Sequence, residues 1–595
     1  MADPRDEYSR RLEDFLATVS LKERRHIRLG NFKLATIAAA LAVTWLSLSK
    51  NSFASYWLLV PVALYALLAV AHEYVIRART RAEAAVALYR RGLARIEDRW
   101  TGTGETGERF RDTEHVYAED LDLFGRGSLF ELLSTARTPM GEERLARWLA
   151  SPSPVVTLVE RQRLVAELRV KLDLREHLAL TGESLRARLN PASLIAWAES
   201  PAKLQMPVVR IVAALLSLAA VVTAILAFNG VMWPFVLALI LELLVVRALK
   251  RRVEDVVDGV ACNAEGLTLF ANILQRLESE PFDAARLKEF AAELKRDSGQ
   301  ASDAVRRLAR VVQWIDSRHG LIAKLLDVPM LYSVQVAFFA EAWRGRWGSR
   351  LRTWVDITAE MEALLSLGTY SYEHPADTFP EFAHVKDSAA CFYGEEIGHP
   401  LIAASRCVRN SIELDSNTRI VLISGSNMSG KSTMLRAVGI NAVLAMAGAP
   451  VRAKSVRLTP LNVGTRIRSG DSLQEGRSAF YTEILHIRKV FDLASGETPA
   501  LFLFDELMEG TNSKDRRIGA EGLLRALLGR GAIGLVTTHD LALTEITEAL
   551  GNVVRNAHFQ DYVEAGKMRF DYKLRDGVVE KSNALELMRL IGLQV

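Results

Sequence analysis

A chain of 595 residues is too long for one core and, at about 100–200 residues per domain, calls for three or more units. Its net charge of +4, with 25% charged residues, excludes a protein that coats nucleic acid through overall charge, so any duplex contact must be local. Cys262, Cys391 and Cys407 are too widely spaced for a metal motif and read as reduced thiols in cytosolic segments.

In chain order, residues 34–71 carry a single charge, Lys50 beside Asn51. Residues 34–49 and 52–71 each approach the ~17–25 residues that cross a bilayer, which predicts a transmembrane hairpin within an N-terminal segment 1–100. A signal peptide is excluded because the apolar zone is too long and a second apolar helix follows at once. Residues 77–100 are rich in Ala and Arg and read as helix, and the Gly/Thr run 101–108 opens a linker to residue 119. From 120 to 205 apolar residues such as Leu145, Trp148 and Leu149 recur at helical spacing.

Residues 211–241 contain no charge, and Asn229-Gly230 supplies a turn. This predicts a second hairpin within 206–250, helical over 208–228 and 231–246, with Glu242 at an interfacial position. A buried soluble helical pair is the competing reading. Arg24, Arg25, Arg28, Arg77, Arg79 and Arg81 flank the first hairpin, and Arg210, Lys250, Arg251 and Arg252 flank the second. By the positive-inside tendency both hairpins start and end in the cytoplasm, which predicts a multi-pass inner-membrane protein with cytoplasmic soluble parts.

Residues 251–397 read as mostly helical. Within them Trp343, Arg344, Arg346, Trp347, Arg350, Arg352 and Trp354 interleave two chemistries. Such a run is either a helix with a tryptophan-lined core face and a basic solvated face, or a surface for membrane or nucleic acid. From residue 398 short β-branched runs alternate with helices, the mark of a parallel α/β sheet.

That last region holds the strongest signal. Residues 420–424 form an apolar strand followed by Gly425-Ser426-Asn427-Met428-Ser429-Gly430-Lys431-Ser432-Thr433 and a helix. This is a complete phosphate-binding loop in strand–loop–helix context. Glycines let backbone N–H groups face phosphate oxygens, and the helix N-terminus adds its dipole. Lys431 neutralises the β/γ-phosphates and Ser432 is the natural Mg²⁺ ligand. A second apolar strand, 500–504, ends in Asp505 and Glu506, suited to hold Mg²⁺ and to deprotonate a water. A third, 533–538, ends in His539, placed to reach a γ-phosphate.

These residues resemble one family. The 425–433 loop, the run from Asp505 to Ser513 and Thr537-Thr538-His539-Asp540 look like the ATPase domain of MutS mismatch-repair proteins. The segment 471–480 is similar to a family segment that works across a dimer. The resemblance implies that Ser478 acts in trans on the partner's ATP, beside Gly476, and that residues 510–515 line the dimer interface. Gly398-His399-Pro400 and Lys581-Ser582-Asn583-Ala584-Leu585 extend the match over about 398–593. Residues 128–149 resemble the start of the MutS helical core, and 362–370 the end of its levers.

The fold class that follows is an ABC-like P-loop NTPase domain with a parallel-rich sheet, residues 398–595. It comes after a mainly α-helical core (120–205) and lever region (251–397) carrying transmembrane hairpins. The implied function is a homodimeric ATPase using ATP and Mg²⁺, anchored in the membrane, with DNA binding inherited by resemblance. The roughly 120 residues before the core contain no Phe-x-Glu wedge, which predicts a variant without the mismatch-reading domain. A membrane signalling or remodelling ATPase without a nucleic-acid ligand is the alternative.

Overall fold

The computed structural model describes residues 3–50, 55–186, 188–204, 207–257, 264–296, 299–317, 327, 330–383, 389–426, 428–467, 479–509, 511–564 and 567–579. The chain forms two compact units, Met1–Thr103 and Gly104–Val595.

The first unit is one antiparallel helical hairpin, α1 (Pro4–Lys50) and α2 (Leu59–Ile96). Asp6 and Glu7 lie in the first turn of α1, where acids suit the helix dipole. Pairing of Tyr8 with Tyr89 and of His26 with His72 sets the register. Buried residues such as Ala82, Val86 and Tyr89 belong to the charged half, whereas Leu34, Leu41, Trp45, Leu59, Leu64 and Leu67 of the apolar half are exposed. The two apolar segments are therefore the distal ends of much longer helices.

The second unit begins with helices: α3 (Leu129–Leu133), α4 (Pro139–Ala150), α5 (Val155–Leu168), α6 (Leu172–Arg186) and α7 (Pro191–Glu199). Their starts are written in the sequence. Ser128, Thr138 and Asn190 each accept an N–H three residues on, and Pro139 and Pro191 occupy the first turn, where no N–H is needed. α8 (Pro207–Phe228) and α9 (Trp233–Val257) form the second hairpin. Most large apolar side chains of α8, and of α9 as far as Leu244, are exposed. Among the described residues, helices Pro4–Ser47, Leu59–Ile96 and Val208–Phe228 are long and apolar enough to cross a membrane.

α9, expected as the second span of this hairpin, is not among those helices, since Glu242, Arg247 and Lys250 fall within its apolar stretch, and it departs from expectation in two further ways. It runs on past residue 246 to Val257, because no breaker interrupts the basic segment. Glu242 is fully buried, and neither carboxyl oxygen has a hydrogen-bond partner among the described residues. Its distance from the helix end suggested an interface, but its side of the helix faces inward.

α10 (Ala264–Ser279), α11 (Ala285–Leu294) and α12 (Ala301–Ser317) pack beside α13 (Tyr332–Glu373). At 1.5 Å per residue the 42-residue α13 is about 63 Å long. Trp343, Trp347 and Trp354 are all buried, and the Trp343 Nε1–H donates to Ala304 O at 2.7 Å. The neighbouring arginines pair with Glu341, Glu293 and Glu199. The tryptophan/arginine run is thus a core face with ion-paired flanks.

The remaining elements build two sheets. One has strand order β1-β5-β2-β3, from β1 (Glu381–Phe382), β2 (Phe392–Ile397), β3 (Asn410–Leu414) and β5 (Ser455–Leu458). The other has order β10-β9-β4-β8-β7-β6. Its strands are β4 (Ile420–Ser424), β6 (Asn462–Arg466), β7 (Ala500–Phe504), β8 (Ile533–Thr538), β9 (Val554–Glu564) and β10 (Lys567–Asp576). Only β10 runs antiparallel to its neighbour. Every residue of β4, β7 and β8 is buried, as expected of parallel strands covered on both faces. Helices α14 (Lys431–Ala447), α15 (Ala479–Leu493), α16 (Ser513–Gly529) and α17 (Ile546–Leu550) connect these strands.

Candidate functional site

β4 lies between β8 and β9, so the loop leaving its carboxyl end starts from the sheet's middle. The loop needs its glycines. Gly425 has φ +153°, and a Cβ there would stand 2.9 Å from Ser429 Oγ and 3.0 Å from Phe559 O. Gly430 has φ +106° at the N-cap of α14, with the Tyr572 ring 3.2 Å from a notional Cβ. The backbone folds tightly enough that the Lys431 ammonium returns to donate to Gly425 O at 2.8 Å and Ser426 O at 2.9 Å. The Ser426 and Ser429 hydroxyls are buried with no partner among the described residues, leaving the loop unused hydrogen-bonding capacity. That is the chemistry a phosphate would satisfy.

β7 and β8 bring the acids. The Thr537 hydroxyl donates to Asp505 Oδ1 while accepting from the Glu506 N–H at 3.0 Å, which fixes both residues at the strand end. Glu506 adopts φ +50°, an uncommon conformation for a non-glycine residue. Its Oε1 is 3.9 Å from Lys431 Nζ and 3.5 Å from His539 Nδ1. Burial, then the neighbouring Glu509, raises the Glu506 pKa, with His539 and Lys431 opposing. Burial lowers that of Lys431, against the pull of Glu506 and Asp505. Ligand atoms of Glu506, Glu509 and His539 lie within 4.8 Å of one another.

Lys431, Ser432, Thr433, Asp505 and Glu506 all line one cleft of about 790 Å³. Its far wall is apolar, with Ile397, Ile402, Val408, Phe559 and Tyr572. His399 also lines it, buried and pushed down to about 4 by desolvation and then by Arg436 and Arg452, so it stays neutral. The cleft thus joins a polar, cationic end to an apolar end.

Of the residues singled out by sequence, Gly425, Ser426, Met428, Ser429 and Gly430 form the loop, and Lys431, Ser432, Thr433, Asp505, Glu506 and His539 gather around it. Asn427, Gly476, Ser478, Gly510 and the 581–585 segment lie outside the described residues. Sequence reasoning quoted Thr537 within a motif without giving it a role, and missed Glu509, Phe559 and Tyr572. Thr537 carried a signal, since it is the last but one residue of a strand that ends just before His539. Tyr572 carried none: it reaches the loop through the β9–β10 hairpin, at a bulge where its own φ is +55°.

Residues 421–594 match the family model "MutS domain V". The chain is 31% identical over 246 residues to the DNA mismatch repair protein MutS of Streptococcus uberis, covering 41% of this chain and 29% of that protein. It is 30% identical over 254 residues to the protein of the same name from Staphylococcus aureus, covering 42% and 28%. The chain spans less than a third of the length of these curated relatives.

Proposed function

This chain belongs to the MutS family, and from that premise we propose that it is a membrane-anchored, Mg²⁺-dependent ATPase whose hydrolysis cycle switches the helical body around α13. The observation that carries the reading is the convergence of Lys431, Ser432, Asp505 and Glu506 on one cleft. ATP fits it in one direction: phosphates at the 425–430 loop, base against Ile397, Ile402 and Tyr572. Lys431 exchanges its two loop carbonyls for β/γ-phosphate oxygens, and the Ser426 and Ser429 hydroxyls gain partners. Mg²⁺ held by Ser432 and Asp505 would neutralise charge building on the phosphates. Glu506, its basicity raised by burial, takes the proton of the attacking water, and His539 steadies Glu506 and the γ-phosphate side. Family resemblance adds a homodimer in which Ser478 completes the partner's site.

DNA is the ligand that the relatives' names suggest. A second reading, a membrane signalling or remodelling ATPase, is favoured by one observation: the hairpin against the start of α13 carries exposed apolar faces. Both readings anchor the chain through α1–α2 and α8–α9 with the cleft in the cytoplasm. The test is ATP binding and hydrolysis by the full-length protein in detergent with Mg²⁺. Lys431→Ala should lower affinity by about a hundredfold or more, because it removes the point charge on the phosphates. Unchanged affinity overturns the site. Duplex binding that weakens steeply with salt selects the DNA reading, and no duplex binding selects the second.

A further inference from the structure

The second hairpin meets the helical body at a belt of arginines and exposed rings that the nucleotide chemistry leaves unused. The Arg210 guanidinium, near the start of α8, lies 5.9 Å from the Phe339 ring centroid of α13. Phe339 packs edge-on against Trp314 of α12 at 5.7 Å. Both rings remain over 40% exposed. The Ser217 hydroxyl donates to Met330 O at 3.0 Å, so the start of α13 lies along the first half of α8.

Helix rise sets the levels. Arg210 precedes Phe228 by 18 residues and Arg251 follows Trp233 by 18. At 1.5 Å per residue each is about 27 Å from the hairpin turn, close to the ~30 Å of a hydrocarbon core. Exposed Met330, level with Ser217, lies about 10 Å closer to the turn. α12 runs the other way from Trp314, since Trp343 bonds its Ala304 end, so Arg310 and Arg307 stand one and two turns further from the hairpin. The order away from the turn is apolar, aromatic, cationic, the sequence of layers met on leaving a bilayer.

The charges are uncommitted. Arg247, Arg251, Arg307 and Arg310 are exposed with no ion pair or hydrogen bond among the described residues. Most acids nearby are engaged: Glu254 with Lys250, Asp255 with Lys203, Asp303 with Arg306 and Glu265 with Arg188, while Asp316, two residues past Trp314, is exposed with no ion pair among the described residues. Arg306, Arg307 and Arg310 line a groove of about 690 Å³ between α12 and the start of α10. We propose that this collar binds the headgroups of anionic phospholipids, with Trp314 and Phe339 at the acyl boundary. The inference rests on reading α8–α9 as a membrane hairpin. A DNA duplex would use the arginines but not the apolar residues continuous with them.

The test reconstitutes the full chain into vesicles of equal phosphatidylcholine and phosphatidylglycerol, then measures the lipid retained after detergent purification. Wild type should retain phosphatidylglycerol at about threefold excess, falling as salt rises. The Arg251→Gln/Arg307→Gln/Arg310→Gln variant, whose changes are all on exposed side chains, should retain the two lipids equally. Equal retention by wild type, with the protein still floating with pure phosphatidylcholine vesicles, overturns the collar while leaving the chain membrane-anchored. Failure to float with either vesicle overturns both. An excess that survives in the variant also overturns the assignment, as does displacement of the retained lipid by a short DNA duplex that the variant no longer binds.

Discussion

Glu362 offers a test of how the long helix α13 is locked to the core. Its carboxyl is buried, accepting the Thr138 hydroxyl and, at 3.3 Å, the Arg137 N–H. Burial outweighs those bonds and raises its pKa from 4.5 to about 7. A carboxyl with a raised folded-state pKa favours the protonated native state. No stability is lost below pH 4.5, and the loss is complete once pH passes the folded value. The rise from 4.5 to about 7 corresponds to roughly 3 kcal/mol lost by pH 8. Glu362→Gln keeps the shape and cannot ionise. Its amide oxygen accepts from Arg137, and its NH₂ donates to a Thr138 hydroxyl turned to accept. The variant should therefore unfold at higher temperature than wild type at pH 8, with the two nearly coincident at pH 5. Thermal unfolding of the full-length proteins in detergent at both pH values checks this. A variant-to-wild-type difference that is the same at both pH values refutes the buried, proton-holding carboxyl.

Three further outcomes are expected. Glu506→Gln should bind ATP normally while hydrolysis drops by about a hundredfold or more, since the amide positions a water but cannot take its proton; single-turnover kinetics read this directly. Gly430→Val should abolish nucleotide binding, because φ +106° is forbidden to a β-branched residue and the Tyr572 ring stands 3.2 Å away; equilibrium titration with a fluorescent ATP analogue decides it. Mixing Ser478→Tyr with Lys431→Ala should restore partial hydrolysis if Ser478 acts in trans, because one composite site then carries neither lesion; mixed dimers with no activity exclude the trans arrangement.

How far the sequence carried differs by element, for physical reasons. The 425–433 loop is local: glycines, lysine and hydroxyls follow one another, so the turn they make is readable without the rest of the chain. Asp505, Glu506 and His539 were readable because a strand end in a parallel sheet projects toward one edge. Tyr572 and Phe559 were not, since a β-hairpin that returns across the loop is a non-local arrangement with no spacing rule. Glu242 shows another limit. Hydropathy located its helix, but which side of that helix turns inward depends on α8 and α13, which both pack against it. The tryptophans of α13 were readable as one face from their spacing, and only neighbouring Glu341, Glu293 and Glu199 decided what the arginines do.

The two ends of α13 give this fold its mechanical logic. At one end it lies along α8, through the contacts of Arg210 and Ser217. At the other, the Tyr370 hydroxyl donates to Asp377 at 2.6 Å, and Asp377 faces Arg452 at 3.7 Å. The Arg452 N–H donates to Asn441 Oδ1 on α14 at 2.7 Å, and its guanidinium to Ile402 O at 3.1 Å. Asn441 in turn donates to Gly398 O at 2.9 Å. Ile402 and His399 are cleft wall, and α14 begins at Lys431. Hydrogen bonds weaken steeply beyond about 3.2–3.5 Å, so the Tyr370, Arg452 and Asn441 bonds tolerate displacements of only a few tenths of an ångström, and the 3.7 Å Asp377–Arg452 ion pair is the softest link. Closing the cleft on a nucleotide must then either carry the C-terminal end of α13 along or break buried polar contacts at about 1–3 kcal/mol each. Because α13 is one uninterrupted helix about 63 Å long, a small rotation at its cleft end becomes a larger excursion beside the second hairpin.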